Sequence, residues 1–447
     1  MHHFDLGWDD TIKKVMQMYL NESGTFEWRD DYAPGSTSTQ PSGLLDRALN
    51  AIDALHKRGG PERLVLTTWS YLISMYVDCP PHAGFPCPNA ARVARMEAAI
   101  RRGDITWHAN PLNSEDEIYD AATIAAAIDV SNALNVRYGR PNSTNFGQED
   151  DPGGTRGIIP ILAAKGVKGF YVGYNDGSMN LSPLTDAPSS LQTIVHGNGA
   201  HTELFAWRWL DQASNTEIFS LFHTSGHGGC NTAYPGLVFD TLATNTLVLP
   251  GSDIAISVRG SDDVPPSHGP SQIWCDNDSG AKCNSFDGLE PTPNTSRRGT
   301  PVDAIVHDFK LLASWFPNAK IQASTFDAYY EDLAASKQVA ALPTFTGEIG
   351  DTWIYGVASD PMKLAAVRAI GRAHGRYLQS PVARGTANDS HYANFSRFFT
   401  KNAEETWGQK TLCGSFGDNS KDPAWCRRDK WNQSADCNPI SRLHSVT

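Results

Sequence analysis

Between residues 42 and 176 two kinds of segment alternate, and this alternation limits the fold more than any other feature of the chain. Helical stretches occupy 42–59 (SGLLDRALNAIDALHKRG), 89–103, 117–135 and 155–166. Apolar, β-rich runs at 63–72 (RLVLTTWSYL), 104–112 (DITWHANPL) and 168–176 (KGFYVGYND) lie between and after them. A strand followed by a covering helix, repeated, builds a parallel sheet, so the expected class is α/β. Such sheets carry their functional side chains at the C-terminal ends of strands. Trp69, His108 with Asn110, and Asn175 with Asp176 fall there.

The pattern loosens from 177 to about 300, where Gly, Ser, Pro and Asn dominate and long loops and insertions are expected. A further helix is expected at 305–316. After LPTFTGEIGDTW (342–353) long amphipathic helices follow at 360–380 and 393–408, then an irregular cysteine-bearing tail. The organisation expected is an α/β-barrel unit over 1–350, with its first strand truncated, and the start of a helical unit over 351–447.

The chain has 447 residues, enough for one large unit and a smaller one, and a net charge of -12. That charge, without clustered Lys and Arg, argues against a nucleic-acid or anionic-membrane surface. No run of ~18 apolar residues occurs, so no membrane span is expected. The eight cysteines contain no CxxC pair, which removes zinc-ribbon and thioredoxin readings. Their spacing suggests local loops: Cys79 with Cys87, Cys275 with Cys283, and two of Cys413, Cys426 and Cys437. Asn-X-Ser/Thr sequons begin at Asn21, Asn142, Asn180, Asn277, Asn294, Asn388, Asn394 and Asn432. Together these favour a secreted, disulfide-bonded glycoprotein, although the chain opens without a signal peptide.

Three stretches hold chemistry-bearing residues. In the opening HHFDLGW, His3 and Asp5 are two apart and point to one side of an extended segment. They could share an ion with ligands from elsewhere, or form a hydrogen-bonded surface pair. In GQEDDPGGTRG (147–157), Glu149, Asp150 and Asp151 precede a Pro-Gly-Gly turn and a helix; this is either a nucleophile or metal loop, or a helix N-terminus favouring acids. In LPTFTGEIGDTWIYGVASDP (342–361), Glu348 and Asp351 stand beside Trp353 and Tyr355. Aromatic walls raise a carboxyl pKa and suit it to general-acid work; the alternative is a turn around a core Trp.

Taken in order, these stretches resemble blocks of the family 38 glycoside hydrolases, the α-mannosidases. HHFDLGWDDT is similar to their His-X-Asp-X-Gly-Trp opening, and DDPGGTRGIIPILAAKGVKGFYVG to their second block. GDITWHANPLNSEDE, STFDAYYEDL and IGDTWIYGVASDP are similar to later ones. The nearest resemblance is to a related branch defined as a domain of unknown function. It implies a mostly parallel, seven-stranded α/β barrel followed by a three-helix-bundle-like unit. It also implies a metal-dependent retaining glycoside hydrolase acting on carbohydrate, with a divalent metal, zinc by the family's habit.

Residue by residue, His3 and Asp5 match two metal ligands. Asp150 matches the nucleophile that also binds the metal, selected over Asp151 because Arg156 lies six residues on. Glu405, in AEETWG, stands where the family's fourth ligand is a histidine. Gly154 stands where the family often has a histidine. One imidazole and three carboxylates make a harder donor set, tilting the site toward Mn or Ca. Asp351 is the candidate acid/base, with Glu348 second. Trp8, Trp69, His108, Arg156, Trp353 and Tyr355 are candidate substrate contacts, Trp8 as an apolar floor for a sugar. Two other functions remain open: a catalytically impaired, glycan-binding relative, and a metal-dependent carbohydrate deacetylase.

Overall fold

The computed structural model describes residues 4–6, 12–22, 24–30, 36–81, 83–150, 153–174, 204–223, 246–248, 253–257, 301–336, 339–350, 354–381 and 389–407. Strands and the first helices are numbered in chain order. A short helix, α1 (Ile12–Leu20), and a hairpin, β1 (Gly24–Asp30) with β2 (Ser36–Ser42), precede the α/β alternation. Then follow α2 (Leu44–Arg58), β3 (Leu66–Thr68), α3 (Ser70–Val77), α4 (Ala90–Arg102), β4 (Ile105–Trp107), α5 (Ala121–Arg137), β5 (Asn145–Asp150), α6 (Ile159–Ala164) and β6 (Gly169–Tyr174). Four of these helices match the expected helical stretches to within a few residues. Gly59 and Gly103 end α2 and α4 in the left-handed region (φ 78° and 85°), where a Cβ is disfavoured.

Mixed α/β architecture with a parallel-rich sheet is observed. Among the described residues the main sheet has five strands in the order β11-β7-β8-β6-β5, with β7 at Leu204–Asp211, β8 at Thr216–His223 and β11 at Thr344–Phe345. The β5–β6, β6–β8 and β7–β11 pairs are parallel, and β7–β8 is antiparallel. β3 and β4 form a separate parallel pair, and β9 (Thr246–Val248) with β10 (Ala255–Ser257) an antiparallel one.

Helices cover both faces of the sheet, so alternate residues of β6 enter different cores. Phe170 and Val172 pack with Phe146, Trp209, Ile158, Ile159 and Leu162. Tyr171 packs with Phe219, Leu221, Phe326, Tyr329, Tyr330 and Leu333, the last four on the helix Phe326–Ala335. A third core joins Phe4 and Leu6 to α1, α2, α3 and β3. The helices Pro361–Gln379 and Ser390–Thr400 pack on α5, and Ile118, Val357, Val367, Phe399, Ala403 and Trp407 form the core beside them.

Two expectations are corrected, and a closed barrel is not shown. The strands form no closed sheet among the described residues, so a barrel is not seen there, nor is a three-helix bundle. The discontinuity lies between β4 and β5, where a single backbone bond, Ala109 N–H to Asn145 O at 2.7 Å, stands in place of a ladder. The apolar run 63–72 splits into the short β3 and the start of α3, all of whose residues are buried; a wholly buried run has no period to separate strand from helix. The region assigned to loops contains the β7–β8 hairpin. Its turn is stapled by Ser214 N–H and Oγ–H to the Asp211 carboxylate (3.0 and 2.6 Å), with Asn215 at positive φ.

Candidate active site

β5 ends at Asp150, beside Tyr174 of β6. After β4 the chain runs along β5 without continuous backbone pairing, and side-chain amides take the place of the ladder. Asn110 Oδ1 accepts from Gly147 N–H at 2.9 Å, while its Nδ2 donates to Gly147 O. Three residues on, Asn113 repeats this grip: Oδ1 accepts from Glu149 N–H at 2.8 Å and Nδ2 donates to Glu149 O. Gln148 returns the pattern, accepting from Ser114 N–H at 3.2 Å and donating to Ser114 O at 2.9 Å. All three amide side chains are buried, as is Glu149, so these amides satisfy backbone groups that water cannot reach.

The segment 401–407 arrives at the same place. Glu115 N–H donates to Ala403 O at 2.7 Å, and Ser114 bridges Glu404 antiparallel. Two adjacent carboxylates are thereby buried, Glu404 at 0% and Glu405 at 6% exposure. Glu405 Oε1 accepts from Asn113 Nδ2 at 2.9 Å. Glu404 Oε1 accepts from Leu6 N–H at 2.9 Å and Oε2 from Thr406 Oγ–H at 2.6 Å. Burial and the charge of Glu405 push Glu404 up to about 7. The Lys363 ammonium, 3.7 Å from the Trp407 ring centroid, donates to Trp407 O at 3.1 Å; burial pushes it down to about 7.

A second junction holds the loop after β5. Gly350 N–H donates to Gly154 O at 3.0 Å. A Cβ on Gly154 would meet the Phe170 ring at 3.1 Å, so the close approach favours glycine where the resemblance has histidine. Glu348 Oε1 accepts from Arg156 N–H at 2.6 Å, Arg156 Nη1 donates to Thr346 O at 2.6 Å, and Arg156 Nε lies 3.5 Å from the Asp211 carboxylate. Glu348 thus helps anchor the turn after Gly154.

Asp5, Glu405 and the end of β5 are drawn into one region: Leu6 next to Asp5 is held by Glu404, and Glu405 is held by Asn113, which grips Glu149 of β5. Asp5 is buried, at 5% exposure. His3, Trp8, Asp351 and Trp353 lie outside the described residues, as do the side chains of Asp150 and Tyr355. Among the described residues no group of three His, Cys, Asp or Glu side chains forms a metal cage. The donor chemistry nevertheless fits a divalent cation: Asp5 and Glu405 are buried oxygen donors, and adjacent buried carboxylates are stabilised by a positive charge.

Trp69 and His108 are core residues. His108 is 2% exposed, with ring centroids 5.0 Å from Trp69 and 5.8 Å from Phe326. Its Nδ1 pairs with Asn145 Nδ2 at 2.7 Å, and burial pushes its pKa down to about 3. Asn113, Gln148, Glu404 and Lys363 were not singled out by sequence reasoning. The signal available for two of them was weak: an Asn pair at i and i+3 after a strand, and a second acid beside Glu405.

The fold is similar to that of an α-mannosidase from Enterococcus faecalis V583, with a TM-score of 0.55 and 13% identity. The match covers 99% of this chain and 41% of that one, so this chain spans less than half of that enzyme's length. A protein in glycosyl hydrolase family 38 from Enterococcus faecalis aligns with a TM-score of 0.42 at 11% identity, over 90% of this chain and 37% of that one. A 4-alpha-glucanotransferase from Thermococcus litoralis aligns at 0.27 and 9% identity, over 40% and 23% of the two chains. Only the first likeness is strong enough to carry an argument, and it concerns the fold. No protein-family model matches the chain, and no curated protein matches its sequence.

Proposed function

We propose that this chain is a metal-dependent, retaining glycoside hydrolase of α-mannosidase type acting on a glycan. The observation that carries this reading is the gathering of the Asp5–Leu6 segment, Asn113, Glu405 and the end of β5 in a fold shared with an α-mannosidase. In this reading the two-stranded and five-stranded sheets are arcs of one seven-stranded barrel, supported by the Ala109–Asn145 bond between them. The Cys79–Cys87 disulfide supports passage through an oxidising compartment.

Asp150 attacks the anomeric carbon and forms the glycosyl-enzyme. Asp351 protonates the leaving oxygen and then activates water; retention of configuration requires two such carboxyls ~5–5.5 Å apart. The Gly154–Gly350 bridge supports this pairing by tying the loops that bear the two acids. Glu348, occupied with Arg156 N–H, takes the supporting place. His3, Asp5, Asp150 and Glu405 would hold a divalent cation, zinc or the harder Mn or Ca, which when bound supplies a charge that fixes vicinal sugar hydroxyls.

The test is hydrolysis of aryl α-mannosides by the purified chain, with Zn²⁺ or Mn²⁺ and after chelation. Product of retained anomeric configuration by NMR, and loss of at least ~10³-fold in kcat in Asp150→Asn, are expected. Inverted product or undiminished Asp150→Asn turnover refutes the assignment. Glycan binding without turnover in the wild type selects the second reading, an impaired glycan-binding relative, which Glu405 favours.

A further inference from the structure

The buried amide of Asn113 is engaged on all sides. Its Oδ1 accepts from Glu149 N–H at 2.8 Å, one Nδ2 hydrogen goes to Glu149 O, and the other goes to Glu405 Oε1 at 2.9 Å. One acceptor and two donors at the tip of a short side chain are what a primary carboxamide offers and what a carboxylate or hydroxyl does not. We infer that Asn113 is a positioning residue that orients the Glu405 carboxylate relative to the β5 end bearing Asp150. The inference rests on the metal-site reading above and extends it to a residue that need not touch metal or sugar.

Asn110 supplies a control. It grips Gly147 N–H and O in the same way and donates to Leu112 O at 2.9 Å, but makes no bond to a carboxylate. Loss of Asn110 therefore removes the same kind of support from β5 and leaves the Asn113–Glu405 bond in place. A role confined to holding the strand is shared by the two asparagines; a role in aiming Glu405 belongs to Asn113. The other attachments of the 401–407 segment, Glu115 N–H to Ala403 O and the Ser114–Glu404 bridge, fix its backbone, whereas the Asn113 amide holds the Glu405 carboxylate itself.

The experiment titrates Zn²⁺ and Mn²⁺ separately into metal-free wild type, Asn113→Ala, Asn113→Ser, Asn110→Ala, Glu405→Ala and Asn113→Ala/Glu405→Ala. Calorimetry reads affinity, and circular dichroism with urea unfolding reads folding and stability. Residues that orient metal ligands typically affect affinity by ~10–100-fold, so Asn113→Ala is expected to weaken the tighter-binding ion by at least ~10-fold. Asn110→Ala is expected to lose comparable stability with less than ~3-fold change in affinity. In the Glu405→Ala background the Asn113 substitution is expected to have no further effect on affinity. Asn113→Ser, less disruptive in volume, carries the comparison if Asn113→Ala does not fold.

Wild-type binding with unchanged affinity in a folded Asn113 variant overturns the role while leaving the metal reading intact. Equal loss of affinity in Asn110→Ala, or an Asn113 effect that persists without Glu405, also overturns it, by making Asn113 a support of the strand. Failure of the wild type to bind either ion overturns the metal reading and this role with it.

Discussion

Acidification gives a direct measure of how deeply His108 is enclosed. Burial lowers its pKa from 6.5 to about 3, so the folded chain keeps the imidazole neutral where the unfolded chain protonates it. The folded pKa is the lower one. Stability is therefore intact above pH 6.5, falls as pH drops through 6.5, and is fully lost from this source below about 3. At about 1.4 kcal/mol per pH unit, the loss between pH 7.5 and 5.0 is about 2 kcal/mol. Urea unfolding of wild type and His108→Leu at the two pH values isolates it. The substitution has its own cost at both pH values, but the wild type should lose about 2 kcal/mol more than the variant on acidification. Equal losses, within ~0.5 kcal/mol, would falsify the burial argument and restore His108 to an open, titrating pocket wall.

Three further outcomes follow from the geometry. On the proposed metal site, Glu405→His is expected to raise Zn²⁺ affinity at least ~10-fold by offering an imidazole in place of a carboxylate; unchanged affinity in calorimetry removes Glu405 from the proposed ligand set. Gly147→Ala places a Cβ 2.7 Å from the His108 ring, and overpacking there is expected to cost ~1–3 kcal/mol in urea unfolding, whereas wild-type stability shows that β5 and the ring can part. Replacing Cys79 and Cys87 by alanine opens a loop of sequence separation 8, and the chain-entropy estimate is a loss of ~2–3 kcal/mol. Unchanged stability of the double variant would place the bridge outside the cooperative unit.

The helices were the most legible elements. Several long stretches carry a 3.6-residue period, the Ala-rich 121–137 segment is made of helix formers, and Asn89, Asp120 and Asp360 cap their helices through side-chain bonds to Arg92, Thr123 and Lys363 N–H. The strands were less so. β3 and β4 are three residues long and buried throughout, and β7 and β8 lie in a region whose composition suggested only loops. Hairpin pairing depends on register between two segments rather than on either alone, and no periodic signal in one of them announces it.

The sequence by itself determined the α/β alternation and the positions of most helices to within a few residues, because each depends on neighbours within about one helical turn; the helix expected at 393–408 instead ends at Thr400, and 401–407 turns to pair with Ser114 and Glu115. The meeting of Glu405 with β5 was left to the tertiary structure. That contact spans 292 residues between Asn113 and Glu405, and the bond that secures Leu6 spans 398. Only the fold can bring such positions within hydrogen-bond distance, since loop closure of that length has no local signature. It also decided that His108, at the end of a strand where a sugar contact was expected, is held between Trp69 and Phe326: the chain after β4 turns along β5 and encloses the ring.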